Sequence, residues 1–146
     1  MADITFNASK AKAQSLVEAN PSSLQIILLK ANEAEGALVD HTSVSSLLGA
    51  TGNTEADFTN YSRQTGLVET VTVDDTNDRV DIDTTDVTWA AAGGTTNNTT
   101  TKALFCVQTG ADDTTLIPLT AQDFAVTTDG SDLTLQVAAD GFYRSA

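Results

Sequence analysis

Cysteine, histidine, tryptophan, proline and basic residues are all scarce in this chain of 146 residues, and each shortage removes a class of explanation. Cys106 is the only cysteine, which excludes an internal disulfide and any multi-thiolate metal site. Its neighbours Ala103, Leu104, Phe105 and Val107 are apolar, so the thiol is expected to be a buried packing group and not a nucleophile. His41 is the only imidazole. A Ser-His-Asp or Cys-His arrangement would depend on it, yet neither Ser43 nor any other serine near it stands in a nucleophile-elbow context. The plainer expectation for His41 is a turn residue ahead of a helix, hydrogen-bonded locally.

Seven basic residues stand against 20 acidic ones, for a net charge of −13. Phosphate contacts need clustered Lys and Arg, and those present are scattered, so nucleic acid is not an expected partner. The same field opposes an anionic membrane surface. No apolar stretch approaches the roughly 18 residues of a membrane span, and no basic segment followed by an apolar run opens the chain, so no signal peptide is expected. Aromatic residues make up only 5% of the sequence. Trp89 and Tyr61 are too few to line a sugar cleft, which disfavours a paired-carboxylate glycosidase. Gly93-Gly94 is followed by no Lys-Ser or Lys-Thr at phosphate-loop spacing.

What the chain does have is Val, Leu, Ile, Ala and an abundance of Thr. Threonine is stiff at χ1 and suits the solvent face of a strand, so the composition leans toward sheet. A chain of this length buries roughly 70% of the surface its unfolded form exposes, enough for a real core. Ile4 and Phe6 alternate in an opening arm. Ser9 can then cap a short helix with Ala13, Leu16 and Val17 on one face, stopped by Pro21. The nearly continuous apolar run at 24–29 predicts a mid-sheet strand covered on both faces. Thr42 or Ser43 can cap a helix of one to two turns carrying Val44, Leu47 and Leu48 inward.

Residues 53–57, with Thr54 as cap, have the look of a helix start that would place Phe58 and Tyr61 on one face. From Leu67 the period changes to two. Val71 and Val73, then Val80 and Ile82, alternate with polar residues around Asp74-Asp75-Thr76-Asn77-Asp78, which predicts a β-hairpin. Val87 and Trp89 continue the alternation, with Trp89 expected as a core or interface anchor. Residues 91–101 are low in complexity and predict a projecting loop. Strands are expected at 103–108, 125–128 and 133–137, and Pro118 confines its neighbourhood to an edge or a connection. The fold class is therefore mainly β: a single β-sandwich-like domain over 24–146, with one or two short helices in its N-terminal half and an N-terminal arm over 1–23.

The acidic cluster Asp74, Asp75, Asp78, Asp81, Asp83 and Asp86 invites a calcium reading, but Arg79 interrupts it and the spacing departs from the calcium-loop pattern. Asp81 and Asp83 are expected on a solvated face. No residue is assigned to catalysis, to a cofactor or to a metal.

Several stretches carry a resemblance: 28–41, 52–63, 71–81, 87–98, 117–124 and 127–134, which together span most of residues 24–143. They resemble a family of small structural proteins of tailed bacteriophages, with a Tyr-x-Arg step (Tyr61, Arg63) before the first long strand and a later tryptophan (Trp89). The run Thr99-Thr100-Thr101 departs from the more apolar, glycine-containing entry of that family. The resemblance implies a non-enzymatic virion part. Among such parts a capsid cement or decoration protein is expected, docked on the major capsid protein and self-associated as a trimer. The docking residues expected from exposure alone are Ala2, Asp3, Ile4, Thr5 and Phe6 of the arm, with Asp74, Asp75 and Asp78 of the acidic turn. The competing reading is a tail or head-fibre component that binds a host surface through residues 93–101. An enzyme degrading cell-wall or capsule polymers is a third.

Overall fold

In a computed structural model of the protein, which describes residues 3–9 and 12–145, the apolar run at 24–29 becomes a strand with neighbours on both edges and a core on both faces. The chain order is β1 (Ile4–Thr5), α1 (Ala13–Ala19), β2 (Leu24–Ala31), α2 (Glu35–Leu38), α3 (Val44–Gly49), β3 (Thr54–Glu55) and β4 (Gln64–Leu67). It continues with β5 (Thr70–Asp74), β6 (Arg79–Asp83), β7 (Val87–Trp89), β8 (Lys102–Gln108), β9 (Leu116–Asp123), β10 (Leu133–Leu135) and β11 (Tyr143–Ser145). An antiparallel six-stranded sheet runs β1-β9-β8-β2-β3, with β4 also paired to β2. Two smaller antiparallel sheets, β10-β7 and β11-β6-β5, complete the strands.

Alternation along β2 and β8 divides the core in two. Ile26, Leu28, Phe105 and Val107 point to one side, where α1 and the small sheets supply Val17, Ile82, Trp89 and Leu135. Ile27, Leu29, Leu104 and Cys106 point to the other, met by Leu38 of α2, Val44 and Leu47 of α3, and Phe6. The protein is mainly β, with the small sheets and α1 on one face of the large sheet and α2 and α3 on the other. Burying each aliphatic side chain contributes about 1.5–3 kcal/mol. Much of the core therefore rests on the neighbouring strands β2 and β8, with Leu24, Ile26, Ile27, Leu28 and Leu29 buried on the first and Ala103, Leu104, Phe105, Cys106 and Val107 on the second.

The cap expected of Ser43 is present: its Oγ accepts the Ser46 N–H at 3.2 Å. The hairpin β5-β6 is in regular register from Thr70↔Asp83 to Asp74↔Arg79. Cys106 is fully buried, and loss of hydration pushes its thiol well above the ordinary range. A thiol reagent should therefore leave Cys106 unmodified in the native protein and label it fully in denaturant; stoichiometric native labelling would contradict this packing.

Six sequence expectations are corrected. The arm is a structural strand: β1 pairs with β9, the Phe6 N–H donates to the Leu119 carbonyl at 3.0 Å, and Phe6 is 0% exposed. An aromatic ring inserted between Leu104 and the helices gains more from burial than a free arm would. Ser9 is buried beside the carbonyls of Phe6 and Leu119, and Lys12 occupies the N-cap of α1 without a side-chain cap bond. Residues 54–55 form β3 and not a helix, because β2 offers them a partner edge (Leu29↔Glu55). The Phe58–Tyr61 contact nevertheless forms, edge to face at 5.1 Å.

Pro118 lies inside the eight-residue β9, opposite Cys106 at a register shift, so the ladder is already irregular where the proline N–H is missing. Residues 125–128 make only an isolated Thr99↔Thr127 bridge. The 91–101 segment, expected to project, is tied down: the Gly93 N–H donates to the Thr59 carbonyl at 2.9 Å, and Thr100 is 1% exposed. Gly93 has φ 90°, and a Cβ there would sit 2.2 Å from Asn97 Oδ1. Asn98 clamps Asp57 from both sides, accepting its N–H at 2.7 Å and donating to its carboxylate at 2.9 Å. Amides and hydroxyls here satisfy the backbone in place of a ladder.

Candidate docking face

The hairpin turn is built by Asp74, whose carboxylate accepts the N–H groups of Thr76 (3.1 Å) and Asn77 (3.2 Å) and the Asn77 side-chain amide (2.7 Å). Asp78 completes the turn at φ 51°, a left-handed conformation that aspartate tolerates. Asp75 and Asp78 are exposed, as expected of docking residues, and Asp74 is half-buried. Asp3 is exposed, its carboxylate accepting the Asp123 N–H at 2.7 Å. Ile4 and Thr5 are half-buried, and Ala2 lies outside the described residues.

Asp81 departs from the solvated face expected of it. It is 8% exposed and stands opposite Arg144 of β11, whose Nε donates to it at 2.7 Å. Arg79 Nε lies 3.2 Å from Asp81 and 3.3 Å from Asp74, close enough for ion pairing though not aligned for a hydrogen bond. Arg144 also reaches Asp140 at 2.6 Å. The Arg144 hydrogen bond holds the Asp81 carboxyl below the usual carboxylate range, and the Asn77 amide does the same for Asp74. A carboxyl with a depressed native pKa stabilises fully above its unfolded value, about 3.9, and loses that contribution as pH falls through the lower native value. Stability should therefore decline with acidification below about pH 4. Asp81→Asn should flatten that decline in urea titrations; an unchanged acid limb would contradict the pairing.

Lys30, Arg63 and Lys102 are also engaged within the chain. Lys30 pairs with Asp57 at 2.7 Å, and Arg63 grips Glu55 through two nitrogens at 2.8 Å while reaching Asp113 at 2.6 Å. The Tyr61 hydroxyl donates to the same Glu55 at 2.9 Å, so the Tyr-x-Arg step is a clamp on β3. Lys102, 0% exposed, is held by Glu35 (2.8 Å) and Asp123 (2.7 Å). Lys12 is exposed. With these pairs closed, the excess carboxylates face outward uncompensated, and the field outside the protein is negative.

His41 is locally bonded, its Nε2 against the Glu33 carboxylate and its Nδ1 3.3 Å from Ser46 Oγ. Ser46 Oγ also donates to the Ser43 carbonyl at 2.9 Å, which ties this hydroxyl to the start of α3. Among the described residues no three His, Cys, Asp or Glu side chains are grouped to hold a metal ion. No helix among them is long and apolar enough to cross a membrane.

Two open clefts flank the hairpin. One, of about 280 Å³, is lined by Val73, Asp74, Asp75 and Asp78; the other, of about 610 Å³, by Val68, Thr70, Asp83 and Asp86. The sequence reading named the acids of this face but not Val68, Asp140 or Arg144. Opposite charges at Arg79 and Asp81, two apart on a strand, were the one signal of an ion pair here; the Arg144 partner is remote in sequence. The fold and this face define a mainly β, acidic domain. Compared with known proteins, the chain matches no family model, no curated protein and no solved structure.

Proposed function

We propose that this protein is a non-enzymatic structural component of a tailed-phage virion, a cement or decoration protein that stabilises the head through contacts with the major capsid protein. The reading rests on the sequence resemblance. The observation that carries it is the internal pairing of Lys30, Arg63, Arg79, Lys102 and Arg144, which leaves an acidic exterior with a rigid hairpin at its edge. Such a surface repels its own copies in solution and is attracted to basic seams on a larger assembly. Association as a trimer would let individually weak contacts act together at high effective concentration.

Particles assembled without the protein should rupture at lower temperature or lower chaotrope concentration than complete ones, and adding purified protein back should restore the threshold. An unchanged threshold would overturn the cement role.

A further inference from the structure

We propose that the outer edge of β5 accepts an added antiparallel strand from a basic, extended segment of a partner protein. The inference builds on the docking role proposed above and names the mode and chemistry of the contact. β5 ends the sheet β11-β6-β5, so its outer row of backbone N–H and C=O groups meets no strand among the described residues. Sheet edges are ordinarily blunted by lysine, proline, bulges or brevity. The large sheet keeps its edges short, ending in the two-residue strands β1 and β3 and in the four-residue β4 with its left-handed Gly66. β5 has five residues, Thr-Val-Thr-Val-Asp, without lysine, proline or a register shift.

The apolar surface coincides with this edge. Val68 (60% exposed) and Val73 (58% exposed) are the large hydrophobic side chains left exposed among the described residues, one just before β5 and the other near its end. Each lines one of the two clefts, so an added strand would find an exposed valine toward either end.

Charge selects the occupant. Asp74, Asp75 and Asp78 line the cleft beside Val73 together with Arg79, which is paired with Asp74 and Asp81; Asp83 and Asp86 line the cleft beside Val68, Glu69 directly precedes β5, and the chain carries a net charge of −13. A second copy paired antiparallel about Thr72 would set Glu69 against Asp75 of its mate and Thr70 against Asp74, and like charges directly opposite are destabilising. A segment bearing Lys or Arg with alternating apolar residues meets the same acids favourably. The acids therefore block self-pairing while leaving the edge open to a cationic strand.

The test titrates the peptide acetyl-Lys-Val-Thr-Val-Lys-Val-Lys-amide into the full-length, ¹⁵N-labelled protein. Saturable shift changes should be confined to residues 68–75, with slowed hydrogen exchange at alternate β5 amides. A peptide with glutamate in place of lysine should not bind. The double variant Val73→Lys/Asp75→Lys, both positions exposed, should weaken binding by roughly tenfold or more. Shifts spread over the whole acidic surface without slowed β5 exchange, undiminished binding by the double variant, or a dimer paired through β5 would each overturn the proposal. The two proposals fail separately. Full particle stabilisation by the double variant would remove strand addition from the virion contact, whereas peptide binding by a protein that does not stabilise particles would remove the cement role alone.

Discussion

Replacing Lys102 by methionine should lower the unfolding free energy by about 3 kcal/mol, the low end of the range for breaking a buried ion pair from one side. The methionine fills much of the lysine stem's space but leaves Glu35 and Asp123 facing one another without the ammonium that now lies 2.8 and 2.7 Å from them. Both carboxylates are about one-third exposed, so water relieves part of the cost, which places the expectation at the low end. Burial by itself would lower the lysine pKa, but the hydrogen bonds that the ammonium donates to Asp123 and Glu35 outweigh it and the native value is raised. A raised native pKa contributes fully below the unfolded value, about 10.4, and is lost as pH rises through the native one. The gap between wild type and Lys102→Met in urea unfolding should thus stay constant from about pH 6 to pH 9 and narrow at more alkaline pH. A loss below about 1 kcal/mol would mean that the triad is no more than an ordinary surface pair.

Trp89→Ala should cost about 3–5 kcal/mol, as large aromatic truncations in cores do. The ring is buried where the small sheet β10-β7 meets the large one, and its indole N–H donates to the Ser62 carbonyl at 2.7 Å. Trp89→Phe separates the two contributions, since it keeps much of the apolar area and loses the donor; it should cost about 1–3 kcal/mol. Far-UV circular dichroism in urea reads both, because the fluorophore itself is removed. Equal midpoints for wild type and Trp89→Ala would mean that β7 and β10 are not docked on the core.

The parts of this fold that were legible in the sequence are those whose signal is local. The run at 24–29 has no polar interruption except Gln25, so only a strand covered on both faces fits it. The period-two pattern around 74–78 and the Ser43 cap are likewise complete within a few residues. The parts that were missed depend on a distant partner. β1 and β3 have two residues each, and the alternation of Ile4 and Phe6 is too short to name a partner; both strands exist because β9 and β2 present edges to them. Acidic residues after Thr54 suit a helix start as well as they suit β3, and the pairing with Leu29 decides between them. Pro118 pointed to an edge or a connection, yet a register shift opposite Cys106 accommodates it inside β9.

The same division holds for the candidate site. Asp74, Asp75 and Asp78 were readable as an exposed turn. The fixation of Asp81 was not, because Arg144 lies 63 residues away. Val73, one of the alternating apolar residues of the hairpin, is exposed, since β5 lies at the edge of its sheet with its end near the hairpin tip.

Quantitative protein counting on purified mature particles addresses the central claim most directly. If this chain acts as capsid cement, it is present in numbers comparable with the major capsid subunits. Its absence from mature particles, or presence in only a few copies, would contradict the account.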